Sequence, residues 1–415
     1  MGCCDAPGLM PLEEALTKLQ SSVSNTCETI TLAVPDALGF ALAEDIYSPI
    51  NVPSFNNSAM DGYAMLQGDL LEATEANPIH LKMIGKSFAG APYTGDLPSG
   101  TCIRIMTGAV MPSCADSVVM QESTEVIGEH IRFTQTPRFN ANVRKAGEDI
   151  QDGQHVLSAG HKLSVCDIPL IASLGISQLS VYRKLKVAVI STGDELKNLG
   201  EPLLEGDIYD SNRYSIIGLL SRLNVDIIDF GIIKDDLALI TEAIKSADQQ
   251  ADVVITSGGV SVGEADFIKD VLTDLGKIGF WKLAIKPGKP FAFGQLPNSV
   301  FFGLPGNPVS AMVTLYQLAV PAMAIMAGFN VKPAIRFNAL TTDKLKKKAG
   351  RVDFQRGTYS ANSNGQLIVN TTRSQGSGVF SSMSQSNCFI VLEQDRGNVE
   401  MGETVTIEPY NTLLN

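Results

Sequence analysis

Several kinds of sequence segment are missing from this chain of 415 residues, and each absence excludes a class of protein. No uninterrupted apolar run reaches the roughly 20 residues that a membrane-spanning helix needs. The first ten residues, MGCCDAPGLM, lack the basic n-region and the apolar h-region of a secretory signal. The myristoylation motif is incomplete because Ala6 stands where that motif requires Ser or Thr. The sequence therefore predicts a cytoplasmic protein that has no membrane partner.

Positive charge and soft metal ligands are also scarce. The chain has 32 Lys and Arg against 44 Asp and Glu, which gives a formal net charge of -12. Such an acidic chain is a poor general binder of nucleic acid, so Lys and Arg in loops become informative. The seven cysteines are scattered without a C-x-x-C pair, and there are only four histidines. This pattern indicates reduced thiols and no structural zinc, so a bound metal should be a hard ion held by carboxylates.

The order of apolar runs and turns predicts a multidomain protein of α/β and β parts. Over 185–327, strand patterns alternate with helix patterns, which is typical of a three-layer α/β domain with a mainly parallel sheet. Short apolar runs separated by turns predict a β-rich domain over 46–151. It looks inserted into a helical element, because 11–20 and 164–175 have helical patterns. After Pro333 the chain is again β-rich.

Five loops should follow the strands of the α/β domain at one end of its sheet. Ligands of open α/β sheets bind outside the carboxyl ends of the strands. Any one of these loops is equally well explained as an ordinary connection, because turns favour the same residue types. Five of them at one end favour a binding site. The loops are TGDEL (192–196), 234–236, SGGVSVGEAD (257–266), KPGKP (286–290) and LPGNP (304–308).

Two of the loops have the composition of oxyanion-binding turns. Ser257, Gly258 and Gly259 precede a predicted helix, and glycine lets backbone N–H groups approach an anion closely. The loop matches neither G-x-G-x-x-G nor the complete Walker A pattern. In the second loop, Asn307 suits a helix N-cap and Pro308 the first helical position. For that loop, a simple strand-to-helix turn and an anion-binding helix start remain equal alternatives.

Charged residues of both signs accompany these glycines. A lysine on a surface loop is usually only solvated, but in so acidic a chain Lys282, Lys286 and Lys289 favour phosphate contact. Carboxylates clustered at one sheet end repel one another, and a hard cation such as Mg²⁺ relieves that repulsion. Together they indicate metal-assisted phosphate chemistry. The carboxylates are Asp194, Glu195, Asp235, Asp236, Glu264 and Asp266.

A long series of motifs resembles one known family. SAMDGYA, MTGA, RKAGEDI, STGDEL, IYDSN, TSGGVSVGEADF, KPGKPFAFG, GLPGNPVSA and DFQRG occur in the order of the MoeA family. That family comprises molybdopterin molybdenumtransferases, and the gephyrin E domain is its eukaryotic relative. The resemblance covers about residues 10 to 412. It is far more specific than a single glycine motif.

The resemblance implies four domains per chain and an elongated homodimer. A segmented N-terminal domain is expected over 10–45 and 152–184, and the β-rich domain over 46–151. The α/β molybdopterin-binding domain is expected over 185–327 and a C-terminal β-barrel over 334–412. The implied site lies near the dimer interface, where the α/β domain of one chain faces parts of the other.

The resemblance also implies a reaction and roles for named residues. The family inserts molybdenum from molybdate into adenylylated molybdopterin, with Mg²⁺ as metal and AMP as leaving group. The implied catalytic residues are Asp61, Thr107, Asp149, Glu195, Asp235 and Asp266, of which the last three would bind metal. The implied substrate-binding residues are Ser257, Gly258, Gly259, Lys282, Lys286, Lys289, Pro305, Gly306, Asn307, Pro308 and Arg356.

Two alternatives compete with this interpretation. A molybdopterin adenylyltransferase has a related α/β domain, but the two β domains and SAMDGYA favour the molybdenumtransferase. A dimeric scaffold or substrate-channelling protein is the second alternative, and the charged loops argue against scaffolding alone. The adenylyltransferase and the proteins that accept the cofactor are implied as partners.

Overall fold

The computed structural model describes residues 8–258, 271, 274–372, 374–411 and 413–414. Its centre is a six-stranded sheet whose first four strands run parallel. The fifth strand runs antiparallel to the fourth and the sixth antiparallel to the fifth, so the sixth points the same way as the first four. The predicted three-layer α/β domain with a mainly parallel sheet is confirmed. In spatial order the strands are Val225–Ile233, Leu185–Thr192, Val253–Ser257, Val300–Leu304, Pro290–Gln295 and Lys277–Lys282.

The central strands are apolar on both faces because helices cover both sides of the sheet. Every residue of Val253–Ser257 and Val300–Leu304 is buried. Ser211–Leu220 packs against one face of the sheet and Leu237–Gln250 against the other, which gives two separate core clusters. Two-sided burial explains why these strands are continuous apolar runs and do not alternate.

The helical stretch Pro308–Met326 is long and apolar enough to cross a membrane by length and composition alone. In this fold, 78% of its apolar window is buried, so it is the core helix of the central domain. It consists of Pro308–Thr314, a π-turn over Leu315–Ala319, and Val320–Met326. The π-turn lies just before Pro321, which has no N–H to continue the regular α-helical ladder.

The inserted β-rich region forms its own six-stranded sheet. The strands in spatial order are Ser117–Met120, Gly62–Met65, Thr101–Ile105, Ile79–Ser87, His130–Phe133 and Thr124–Ile127. Its two ends are joined by short pairings, Asn57–Ser58 with Val143–Arg144 and Ile46–Tyr47 with His155–Leu157. The chain therefore enters and leaves this region at one place.

Residues before and after the insertion share one small sheet. Thr29–Ala33 pairs antiparallel with Gln178–Tyr182, as a segmented domain requires. The first helix, Leu12–Ser22, packs elsewhere: Leu12, Ala15 and Leu19 belong to the core cluster of the central sheet. The exact domain bounds remain predictions.

The C-terminal region is the predicted barrel. Five strands close on themselves because Val352–Ala361 pairs with both Leu367–Thr371 and Cys388–Leu392. Phe337–Thr341 and Thr404–Pro409 complete the ring. Val352–Ala361 and Leu367–Thr371 form a hairpin whose turn contains Asn364 and Gly365, with Gly365 at φ 76°. The short strand Ile285–Lys286 adds to the barrel at Val352 and so connects it to the central domain.

Short elements complete the described fold. The remaining helical segments are Val34–Ala37, Gln67–Leu70, Gln121–Ser123, Asp167–Ser173 and Ser381–Ser384. A two-stranded parallel pair joins Leu196–Lys197 to Ile208–Tyr209.

A bidentate ion pair fixes the segmented sheet against the central domain, and its loss should lower the free energy of unfolding. Arg183 donates to the two carboxylate oxygens of Asp252 at 2.8 and 2.9 Å, and Lys186 N–H donates to the same carboxylate at 2.8 Å. Asp252→Asn leaves Arg183 and that amide poorly paired, at a cost of about 3 kcal/mol. We expect a lower urea midpoint of unfolding.

The pH dependence of that loss follows from the Asp252 pKa. Although burial opposes it, the Arg183 and Lys186 bonds hold the pKa of Asp252 below its usual value. Its stabilisation is therefore present above about pH 4 and lost as pH falls through the lowered folded pKa. Asp226→Asn is the control, since that exposed carboxylate lies 3.9 Å from Lys184. Equal midpoints for both variants at pH 7 would contradict the role given to Asp252.

Candidate active site

The five predicted loops begin at one end of the central sheet. The parallel strands end at Thr192, Ile233, Ser257 and Leu304, directly before four of them. The antiparallel register places Lys282 opposite Pro290 at this same end, so KPGKP also connects there. The glycine-rich loops, the lysines and the described carboxylates therefore follow strands that finish at the same end of the sheet.

Three carboxylates, Asp194, Glu195 and Asp235, lie near one another where the first two strands end. Asp235 N–H donates to Asp194 Oδ1 at 3.2 Å, and both side chains are exposed beside Glu195. Partial burial and then the charges of Asp194 and Glu195 raise the pKa of Asp235. The fold thus holds like charges together, which costs free energy in the absence of a cation.

The predicted metal ligands fit a hard cation by donor type. Glu195 and Asp235 supply carboxylate oxygens, the donors that Mg²⁺ prefers, and their mutual repulsion favours a cation between them. Within the described ranges, no group of three or more His, Cys, Asp or Glu side chains is close enough to hold a metal. The third predicted ligand, Asp266, and the predicted anion-binding Gly259 lie outside the described residues.

The glycine-rich loops contact each other through Asn212. Its Nδ2 donates to Ser257 Oγ at 2.9 Å and to the Gly306 carbonyl at 2.8 Å. Gly258 N–H donates to the Leu304 carbonyl at 3.2 Å. Gly258 has φ 95°, and a Cβ there would lie 2.9 Å from the Thr192 carbonyl oxygen. Only glycine suits this position, where two loops approach backbone to backbone.

Asn307 and Pro308 stand where the sequence predicts, at the N-cap and the first helical position. The Asn307 side chain makes no capping hydrogen bond. One backbone group of this helix start, Val309 N–H, donates instead to the Ser377 carbonyl of the barrel. Pro305 precedes the helix start in the same loop. Whether this loop binds an anion remains a prediction.

The three lysines are not equivalent. Lys282 is exposed at the sheet end, and Lys289 is half-buried, with its carbonyl accepting from Leu283 N–H at 2.7 Å. Lys286 forms an ion pair with the buried Asp353 at 3.0 Å. The loop between Lys286 and Lys289 packs closely against the helix Pro308–Thr314. A Cβ at Gly288 would lie only 2.7 Å from the Thr314 methyl group.

Arg356 is buried, with a relative exposure of 1%. Its guanidinium donates to Ser382 Oγ and to the carbonyls of Phe354 and Gly376 at 3.1–3.2 Å. The loop it supports includes Ser377, which contacts the helix that follows LPGNP. This places Arg356 behind the loop, and its predicted contact with molybdate remains untested.

Asp61 and Thr107 form a tight pair in the β-rich region. Asp61 Oδ1 accepts from Thr107 N–H at 2.7 Å and from Thr107 Oγ1 at 2.8 Å. These two bonds are the main reason that the pKa of Asp61 is lowered, with a smaller contribution from Arg104. Asp61 and Thr107 are 46 residues apart in sequence, so their hydrogen bonds bring the motifs SAMDGYA and MTGA into contact in the folded chain.

Asp149 lies in the neighbouring turn. Its N–H donates to the Val52 carbonyl at 3.0 Å, and its side chain is exposed. The turn is held to the SAMDGYA side by Ala146 N–H, which donates to Asn56 Oδ1 at 2.9 Å. Asp61, Thr107 and Asp149 thus gather on the β-rich region.

Removing the Thr107 hydroxyl should shift the titration of Asp61. Thr107→Val deletes one of two donors to the carboxylate and keeps the backbone donor. We therefore expect the pKa of Asp61 to rise toward its ordinary value without reaching it. Carboxyl ¹³C chemical shifts followed against pH measure this change. Thr101→Val, which loses a hydroxyl bonded to the Pro98 carbonyl, should leave Asp61 unchanged; an equal shift in both would refute the pairing.

Comparison with known families accounts for most of the chain. Residues 10–175 match the MoeA N-terminal region (domain I and II), 188–324 a probable molybdopterin binding domain, and 338–410 the MoeA C-terminal region (domain IV). The chain belongs to the MoeA family.

Relatives of this MoeA chain agree over its whole length. It is 50% identical to the molybdopterin molybdenumtransferase of Haemophilus influenzae, over 98% of this chain and 100% of that one. It is 31% identical to gephyrin of Dictyostelium discoideum, over 97% of this chain and 63% of that one. A crystal structure of the molybdopterin biosynthesis MoeA protein of Pyrococcus horikoshii OT3 matches with TM-score 0.84 and 30% identity, over 97% and 100%. The family and enzyme class predicted from the motifs are confirmed.

One connecting residue of this MoeA chain escapes prediction from sequence. Asn212 belongs to the motif IYDSN, yet its type and place suggest only the first turn of a helix. The structure shows that it bridges both glycine-rich loops, while its Oδ1 is buried without a hydrogen-bond partner. The available signal was Asp210, whose side chain caps that helix by accepting from Arg213 N–H and so fixes where Asn212 points.

Proposed function

We propose that this MoeA-family chain inserts molybdenum from molybdate into adenylylated molybdopterin and releases AMP, in the cytoplasm. The observation that carries the proposal is the convergence of carboxylates, lysines and glycine-rich loops at one sheet end. Molybdate and the pyrophosphate linkage are both anions, and this end of the sheet carries Lys282 and Lys289, whose positive charges can neutralise them. The five cysteines within the described residues are free, which supports a reducing compartment.

Mg²⁺ is proposed as the metal, held by Glu195, Asp235 and Asp266. When bound, it would neutralise charge on the phosphate oxygens and make AMP a better leaving group. The protein's own groups then have separate tasks. Ser257, Gly258 and Asn212 keep the anion-binding backbone in position, and Lys282 and Lys289 hold the anionic substrate. No nucleophilic side chain is required, because the dithiolene sulfurs of the pterin are themselves the ligands that receive molybdenum.

A homodimer is proposed to complete the site. Asp61, Thr107 and Asp149 make the hydrogen bonds described above within the β-rich region, not with the sheet-end loops. If both groups serve one reaction, a second copy must bring its β-rich region to this edge. Mixed dimers test this: Asp61→Asn and Asp235→Asn chains, each inactive alone, should recover about a quarter to a half of the activity when combined. No recovery from mixed dimers would mean that both groups act within one chain, and it would refute a site shared between two copies.

Direct assay of molybdenum insertion tests the function. Purified protein is given adenylylated molybdopterin, Mg²⁺ and molybdate at concentrations on the order of 1–100 μM. The readouts are AMP release and reconstitution of an apo-molybdoenzyme. We expect turnover that depends on metal and molybdate and that is lost in Asp266→Asn.

Two further measurements address the alternatives. With ATP and molybdopterin alone, an adenylyltransferase would accumulate adenylylated product, and we expect none. A scaffold or channelling protein would complement a cofactor-deficient cell equally well with Asp61→Asn or Asp266→Asn, and we expect both to fail. Folded protein without insertion activity would refute the proposal.

A further inference from the structure

A strongly basic cavity lies between the short strand Ile285–Lys286 and the loop 344–351 of the barrel. Its volume is about 580 Å³, within the range of small-molecule sites. Six cations line it: Lys286, Lys344, the lysines at 346–348 and Arg351. Asp353 is the one carboxylate in the lining. In a chain of net charge -12 this concentration of cations stands apart.

The loop that carries these cations is fixed by hydrogen bonds. Leu345 and Val399 exchange backbone bonds at 2.9 and 3.0 Å. The Lys347 ammonium is buried and donates to the carbonyls of Lys348, Arg351 and Gln394 at 2.7–3.3 Å. Since a fixed loop loses little entropy on binding, the cavity is preorganised for its ligand.

Internal pairing offsets only part of the charge. Asp353 is buried below the cavity and binds Lys286 at 3.0 Å, and it also accepts from Gln355 Nε2 at 3.1 Å. At the rim, Lys344 pairs with Glu400 at 2.7 Å, where both side chains are more than half exposed. Burial, with Lys286 and Arg351 adding to it, lowers the pKa of Lys347. The cluster therefore contains repulsion that a bound anion would relieve.

We propose that this cavity is a second anion site, which takes a small phosphate ligand with several negative charges, such as a di- or triphosphate. Lysines act as point charges around such a ligand and do not demand the planar geometry of a carboxylate. An acidic protein surface fits less well, because the net charge of this chain would repel it. A small ion within the cavity is screened from that field over about 8 Å at physiological salt. The proposal does not depend on molybdenum insertion.

Calorimetric titration with inorganic tripolyphosphate, pyrophosphate and orthophosphate tests the site on the full chain. The double variant Lys346→Glu/Lys348→Glu changes two exposed side chains of the lining. We expect the wild-type protein to bind tripolyphosphate more tightly than orthophosphate. In the double variant, the affinity for tripolyphosphate should fall by about tenfold or more. Lys245→Glu/Lys277→Glu, which alters two exposed lysines elsewhere, is the matched control and should bind as the wild type does.

Lysine acetylation read by mass spectrometry tests the same site without any substitution. Tripolyphosphate should protect Lys346 and Lys348 and leave Lys245 reactive. The proposal is overturned if protection is uniform, if the two double variants bind equally, or if no phosphate binds at millimolar concentration. Phosphate that binds at the sheet end would survive Lys346→Glu/Lys348→Glu and would be recognised by that survival.

Discussion

Asp235→Asn should reduce molybdenum insertion by about 100-fold or more, the scale for loss of one electrostatic contact to a reacting group. The substitution removes a charge and keeps the shape of the side chain. Partial burial, with Asp194 and Glu195, holds the pKa of Asp235 above its usual value. The ionised group therefore destabilises the fold at neutral pH, because the folded pKa exceeds the unfolded one. Asp235→Asn should accordingly raise the unfolding temperature while it lowers activity.

The neighbouring Asp236 provides the control. Its side chain caps the helix Leu237–Gln250 by accepting from the N–H groups of Ala238 and Leu239. Asn caps a helix about as well as Asp, so Asp236→Asn should change neither activity nor stability by much. Initial rates at several Mg²⁺ concentrations and thermal melts compare the two variants. Near-normal rates in Asp235→Asn would exclude a part in the reaction for this carboxylate.

Gly258→Ala should also lower activity by about 100-fold, the effect of misplacing a reacting group by roughly 1 Å. The added methyl would lie 2.9 Å from the Thr192 carbonyl oxygen, closer than a real Cβ contact allows. The two loops must then separate, which pulls the glycine-rich loop away from the loop that carries Glu195. The proposed function places binding and chemistry at this end of the sheet, so we expect KM to rise and kcat to fall.

Gly206 separates backbone strain from that collision. It has φ 94°, close to the 95° of Gly258, but a Cβ there would meet nothing within 4 Å. Gly206→Ala therefore carries the same conformational cost, about 1 kcal/mol or somewhat more, without moving a neighbour. Steady-state kinetics of both variants decide the matter: comparable activity losses would show that strain alone, and not the contact with Thr192, is responsible.

Local pattern was sufficient to predict the layout of the central domain. Strands that are buried on both faces have continuous apolar sequences, and the loops that follow parallel strands lie at the same end of the sheet. The hydrogen-bond partners of individual side chains could not be predicted in this way. The contact of Asp61 with Thr107 and the bridge that Asn212 makes between two loops depend on residues 46 and 45 or more positions apart. Neither motif spacing nor composition encodes such distances.

The burial of Arg356 was equally inaccessible from sequence. In a β-strand, successive side chains point to opposite faces, so Asp353 and Gln355 share one face while Arg356 shares the other with Phe354. Which face meets the central domain depends on how the barrel docks, and that is fixed by the short strand Ile285–Lys286. Lys286, predicted as a substrate lysine, is paired with Asp353 for the same reason.

The pairing of Thr29–Ala33 with Gln178–Tyr182 sets an order of events on the ribosome. The first of these strands emerges early, but its partner is synthesised about 150 residues later. At 5–20 residues per second, the first strand waits roughly 7 to 30 s with an unpaired edge. The intervening β-rich region can fold in that interval and bring its two ends together. Its closure therefore shortens the search by which the waiting strand finds its partner.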